Sequence, residues 1–165
     1  MTGLCRIREA MVTFLKGAGL DALSAWSPTE RKKLTGAVVA VSLRGCESTT
    51  GGFRDYLGER ENKNTGLWEE LYGKRVALSF GLDVYCPREG GGGALQEVYD
   101  KLAGALQTAA PAGLTVLSLS RGAAGFQEET GLLLCPMEAQ CSAYLYAVAD
   151  EGGQFADFEV KGVQT

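Results

Sequence analysis

Two stretches of the chain repeat apolar residues every three or four positions, which is the spacing of one face of an α-helix. The first stretch covers residues 4–17 and is followed by Gly19, a residue type that often ends helices. The second covers residues 94–107. The sequence therefore predicts two amphipathic helices, with buried stripes formed by Leu4, Ile7, Met11, Phe14 and Leu15 in the first and by Leu95, Val98, Tyr99, Leu102 and Leu106 in the second.

The clearest strand pattern lies at residues 75–85, where apolar and smaller or polar residues alternate over eleven positions. The apolar set is Val76, Leu78, Phe80, Leu82 and Val84. Further strands are predicted at residues 36–44, 114–121, 132–148 and 154–161, and Pro136 indicates a bulge or an edge position within the third of these. The order of elements predicts an α+β fold: a mostly antiparallel sheet with two helices packed on one face.

The pattern weakens at residues 47–74, which we interpret as a long loop or hairpin excursion between two strands. Its tip at residues 58–66 has the sequence GERENKNTG and contains no large apolar residue. Such a segment does not offset its own ordering entropy. We therefore expect an arm that is mobile in the free subunit and ordered against a neighbour.

Composition fits one domain, because 165 residues with 45% apolar content can bury a core without disulfides or a metal. The net charge is −4, so the chain does not have the excess of basic residues that is typical of nucleic-acid-binding proteins. The basic trio at residues 31–33 is interpreted as a solvated turn, with nucleic-acid contact as the alternative. Charged residues near the N-terminus and the lack of an 18-residue apolar run predict a protein made in the cytoplasm, without a signal peptide or membrane helix.

The residue types needed for common catalytic sites are missing. The chain has no histidine, and its five cysteines are widely spread, which argues against both a metal site and a disulfide framework; we expect them to be small buried residues. Without histidine, serine or cysteine nucleophiles lack their usual base. Adjacent acids such as Glu69 and Glu70 would point to opposite faces of a strand. The sequence therefore predicts no enzyme and no cofactor.

The glycines at residues 90–93 lie between a strand and a helix, where phosphate-binding loops occur. However, Ala94 and Leu95 stand where a nucleotide-binding loop would continue with lysine and a hydroxyl residue or with another glycine. We therefore interpret the run as a flexible connector. An anion site remains the alternative.

Aromatic and charged residues cluster in the excursion, a composition typical of protein interfaces. The alternative is that the rings belong to the core, and for Tyr144 and Tyr146 on a later strand both interpretations stay open. The candidate interface residues are Phe53, Arg54, Tyr56, Glu59, Arg60, Lys63, Trp68 and Tyr72.

Two stretches, RVALSFGLDVYCPREGGGGALQEVYDKLAGAL and FQEETGLLLCPMEAQCSAYLYAVADEGGQFADFEVKG, resemble small tail or neck proteins of prophages. Together with the order of elements from Val38 onward, they are similar to the tail terminator (tail completion) proteins of tailed bacteriophages. The family shares no invariant motif, so the resemblance carries over no individual functional residue.

The resemblance implies a virion protein that forms a ring, usually a hexamer, at the head-proximal end of the tail tube. Such a ring stops tube polymerisation, contacts the head–tail connector and, in contractile tails, the sheath, and lets DNA pass through its lumen. A net-acidic chain suits that passage. Two alternatives remain: another neck or tail component, such as a head-completion or tube protein, and a small-molecule or anion-binding regulatory domain.

Overall fold

The computed structural model describes residues 3–24, 34–50, 56–111, 113–149 and 155–161. Within these ranges the chain forms two α-helices, α1 (Gly3–Gly17) and α2 (Gly91–Thr108), with a 3-10 turn at Arg88–Gly90 before α2. The strands are β1 (Ala22–Leu23), β2 (Val38–Thr50), β3 (Tyr56–Glu61), β4 (Trp68–Pro87), β5 (Thr115–Arg121), β6 (Gly125–Gln127), β7 (Leu132–Cys135), β8 (Met137–Ala149) and β9 (Phe155–Lys161).

The 20-residue strand β4 is the axis of the sheet. Along one edge it pairs antiparallel with β2, from Tyr85 to Lys74, and then with β3, from Tyr72 to Trp68. Along the other edge it pairs with β8 and, beyond the interruption at Pro136, with β7. Each edge of β4 is thus covered by two strands placed end to end.

The outer positions of the sheet are filled by short strands. β5 and β9 both pair with β8, β6 pairs with β7, and β1 adds a two-residue parallel pairing to β2. The other strand pairings described are antiparallel. The chain therefore has the predicted α+β fold with a mostly antiparallel sheet.

The core lies between the two helices and one face of β4. The apolar set that alternates along β4 is fully buried, and Phe80 belongs to the same core cluster as Leu102 of α2 and Met11 of α1. The helical stripes are buried as predicted except at Leu4, Phe14 and Tyr99, which are partly or largely exposed. Neither helix among the described residues is long and apolar enough to cross a membrane.

The sheet face opposite the helices carries polar pairs over much of its area. Arg44 forms an ion pair with Asp83 across β2 and β4, at 2.5 Å, and Ser79 donates a hydrogen bond of 2.9 Å to the Oε1 atom of Gln140 on β8. At one end of this face, Val38, Tyr85 and Leu132 form a small apolar cluster. The described contacts on this face are therefore both polar and apolar.

Of the two forms predicted for the excursion at 47–74, the structure has the hairpin: β2 continues to Thr50, β4 begins at Trp68, and β3 pairs with β4. Two other sequence predictions require correction. The glycine run is not a connector: it completes the 3-10 turn and forms the first turn of α2. All five cysteines are free, and three of them are buried as predicted. Cys5 is half-buried, and Cys46 is exposed because it lies in the second half of β2, where most side chains face solvent.

Candidate protein interface

Strands β3 and β4 form a hairpin at the end of the sheet where most side chains are exposed. Its strands are joined by residues 62–67, and the backbone N–H of Asn62 donates to the carbonyl of Leu67 at 2.8 Å. The N–H of Gly66 donates to the carbonyl of Asn62 at 2.7 Å, and Gly66 has φ +69°, which favours glycine. The tip is thus a closed turn.

Asn62 organises this turn through its side chain as well. Its Oδ1 atom accepts a hydrogen bond from the N–H of Asn64 at 2.9 Å, and its Nδ2 atom donates to Glu69 at 2.6 Å. The other carboxylate oxygen of Glu69 accepts from Arg60 at 3.2 Å. One oxygen of Glu69 therefore holds the turn through Asn62, and the other links β4 to Arg60 of β3.

The opposite face of the hairpin carries aromatic and acidic side chains, which we call the acidic–aromatic face. By strand alternation and the observed register it comprises Tyr56, Glu59, Glu61, Trp68, Glu70 and Tyr72. Gly58, with φ +125°, allows the register shift between Tyr56 and Glu59 that brings this set onto one face.

The two tyrosines of this face pack against each other and bind its carboxylates. The rings of Tyr56 and Tyr72 make an edge-to-face contact with centroids 5.5 Å apart. The Tyr72 hydroxyl donates to Glu70 at 2.8 Å, and this hydrogen bond is the main cause that raises the tyrosine's pKa. For Tyr56, desolvation and then the charges of Glu59 and Glu70 raise the pKa.

Negative charge accumulates on the acidic–aromatic face. Glu59 lies directly opposite Glu70 in the register, an arrangement that is unfavourable for like charges. Glu61, on the same face, lies opposite Trp68. Lys63 lies in the turn, and Lys74, which by strand alternation shares the face of Tyr72, adds one positive charge at the inner end of this set. A cationic group placed over the face would relieve this repulsion.

The hairpin also exposes large apolar surface. Trp68 is 69% exposed and Leu67 is 61% exposed, while Tyr56 is 40% exposed. An aromatic side chain can bury roughly 150–250 Å² on contact with a partner. Exposed rings next to charged groups are the composition expected of an interface.

The structure brings six of the eight predicted interface residues together in this hairpin, and Phe53 and Arg54 lie outside the described residues. Arg60 lies on the opposite face, paired with Glu69. Sequence reasoning missed Leu67, Glu61 and Glu70. The strand bounds and the register, which the sequence alone did not provide, were needed to find them.

A groove lined by both apolar and polar groups lies between α2 and β5. Tyr99, Ala103, Leu106 and Gln107 of α2 and residues 116–119 of β5 line a groove with a cavity of about 300 Å³. Leu117 lies at a β-bulge and is 60% exposed. Sequence reasoning expected Tyr99 and Leu106 to be core residues, so the groove was not predicted.

The positively charged side chain of Arg121 lies next to Tyr99, one of the residues that line this groove. The guanidinium of Arg121 lies 5.5 Å from the centre of the Tyr99 ring and donates to the amide oxygen of Gln96 at 2.8 Å. Among the residues that the structure describes, no carboxylate is paired with Arg121. The groove therefore combines apolar side chains with polar groups and a guanidinium that no described carboxylate neutralises.

The described residues contain no group of three or more histidine, cysteine, aspartate or glutamate side chains arranged to hold a metal ion. The two surfaces are instead suited to noncovalent contact: the hairpin face is acidic and aromatic, and the groove has a mixed apolar and polar lining beside a basic residue. No family model matches the chain, and the search of curated proteins found no significant match.

Proposed function

We propose that this chain is a structural protein of a bacteriophage tail, of the tail terminator type, which assembles into a ring at the head-proximal end of the tube. The β3–β4 hairpin is the observation that supports this proposal most. Trp68 and Tyr56 on its acidic–aromatic face are exposed and do not pack into the core of the subunit. The long β4 carries this hairpin and the helix-covered core on one continuous strand.

In this role the hairpin is an assembly element and the helices stabilise the subunit. Asn62 and Glu69 hydrogen-bond within the turn, and a tip that keeps this shape before contact would lose less entropy on binding than the mobile arm that the sequence predicts. The partners we propose are further copies of the chain, the tail tube protein, the head–tail connector and, in contractile tails, the sheath. DNA passes through the ring without being held. We expect no catalytic activity.

The ring is tested on the full-length chain by light scattering across a concentration series and by electron microscopy. We expect a closed ring, with six subunits as the resemblance implies. Added to polymerising subunits of the tube protein encoded near this chain, the protein should shorten the tubes and occupy one end of each. Unchanged tube lengths together with single, isolated copies in assembled particles would contradict the proposal.

A further inference from the structure

We propose that the partner of the β3–β4 hairpin is a second copy of this chain, and that its acidic–aromatic face docks into the α2–β5 groove of that copy beside Arg121. This inference rests on the proposed self-assembling role and names the surface on which the assembly is built. The observation that carries it is the complementarity of two exposed surfaces on one chain.

The charges of the two surfaces are complementary. The hairpin presents the carboxylates of Glu59, Glu61 and Glu70. Glu59 and Glu70 are directly opposite each other on the paired strands. The groove presents Arg121, whose described polar partner is the amide of Gln96. Docking would place a guanidinium over clustered carboxylates, a pairing that gives charge-assisted hydrogen bonds and selects the partner.

The apolar parts of the surfaces match as well. The groove has a cavity of about 300 Å³, with Tyr99 and Leu106 on one wall and Val116 and Leu119 on the other. This is at the lower end of the volumes of binding pockets, and the size suits one large side chain rather than an extended ligand. Trp68, the most exposed of the large apolar side chains described, is the expected occupant.

The two surfaces cannot meet within one subunit. Ser118 of the groove pairs with Gln140, and Gln140 pairs with Ser79 of β4. Ser79 is nine residues from Glu70 along the same strand, which separates the surfaces by about 30 Å along the strand direction. The contact is therefore intermolecular and head-to-tail, because each copy offers its hairpin to one neighbour and its groove to the other.

Charge reversal tests the pairing. The groove variant is Arg121→Glu, the hairpin variant carries Glu59→Lys and Glu70→Lys, and a third variant combines all three changes. Arg6→Glu, an exposed charge reversal on α1, is the matched control. Self-association of each full-length protein is measured by sedimentation at several salt concentrations, and thermal melts verify that each variant folds.

We expect the groove and hairpin variants each to weaken association at least tenfold, with the Arg6→Glu protein like wild type. The combined variant should recover association, as should an equimolar mixture of the two single-surface variants. Wild-type protein that stays monomeric at its highest soluble concentration would overturn the proposal. Folded groove or hairpin variants that self-associate as strongly as wild type would also overturn it. A combined variant that associates as weakly as the groove or hairpin variant alone would do the same.

A photo-crosslinking residue placed at position 68 locates the contact directly. With a mixture of isotopically light and heavy protein, we expect crosslinked peptides that join position 68 of one copy to residues 116–121 of another. Closed rings whose crosslinks map elsewhere would refute this junction and leave the proposed function standing. Crosslinks at 116–121 in chains that never close would support the junction and count against the ring.

Discussion

Replacement of Phe80 by alanine should destabilise the fold more than almost any other single change. Phe80 is fully buried in the middle of β4 and lies in the core cluster that joins both helices to the sheet. Its neighbours along the strand on the same face, Leu78 and Leu82, are also fully buried. The side chains around the ring are therefore held on several sides and have little freedom to move into the space it leaves.

The expected loss in the free energy of unfolding is about 3–5 kcal/mol, the range for a buried phenylalanine changed to alanine. For a domain of this size, 1 kcal/mol corresponds to roughly 2–4 °C in melting temperature, so the midpoint should fall by about 6–20 °C. The upper part of the range applies if the cavity stays open, because partial collapse of the core recovers some of the lost contacts.

Thermal and urea unfolding of the full chain measure this effect. Phe126→Ala is the matched control, since Phe126 is 46% exposed and its described ring contact is a cation–π interaction with Arg88, at 5.1 Å, a contact worth about 0.5–1 kcal/mol. A Phe80→Ala protein that melts within two degrees of wild type would refute the reasoning. Equal shifts for both variants would do so as well.

Three further predictions follow from other parts of the molecule. A Cβ atom at Gly81 would lie 2.5 Å from the Nε atom of Arg44, a flexible and partly exposed side chain that can move away at the cost of its ion pair with Asp83. Gly81→Ala should therefore cost no more than about 1 kcal/mol, and Gly45→Ala, with its nearest contact at 3.5 Å, should be close to neutral in the same urea titration. Burial raises the pKa of Cys141 from 9.0 to about 12, so the free energy of unfolding should fall by up to about 1.4 kcal/mol per pH unit between these values; Cys141→Ala should flatten that decline. Millimolar ATP or NAD should leave the melting temperature unchanged, and a clear rise would favour an anion site at residues 90–93.

The elements that sequence reasoning placed well are those with one buried face. Helices α1 and α2 and the core half of β4 show apolar periodicity because each packs against the others, and burial imposes that spacing. Strand β3 and the outer half of β2 lack it, since both of their faces are largely exposed. Their strand structure depends on backbone pairing with β4, which does not require apolar side chains.

The sequence predicted only part of the candidate interface, because residue types are visible in the sequence whereas strand register and tertiary packing are not. Tyr56, Trp68 and Tyr72 are large residues in a polar segment, and composition alone indicated contact. The sharing of one face by Glu59 and Glu70 depends instead on the bulge at Gly58, which sets the register. The groove required knowledge that α2 and β5 lie side by side, a tertiary fact that local patterns do not contain.

Head-to-tail contacts of the proposed kind produce either a closed ring or an open helical filament, depending on the rotation and rise between neighbours. Here that relation is set by the angle of the hairpin relative to the α2–β5 groove. Both surfaces are attached to the sheet through β4 and β8, whose twist is fixed by the core. The bulge at Gly58 contributes to this angle, because a β-bulge bends its strand and increases the local twist. If the junction is formed as proposed, the twist of the sheet and this bulge together set the angle that decides whether the chain of subunits closes.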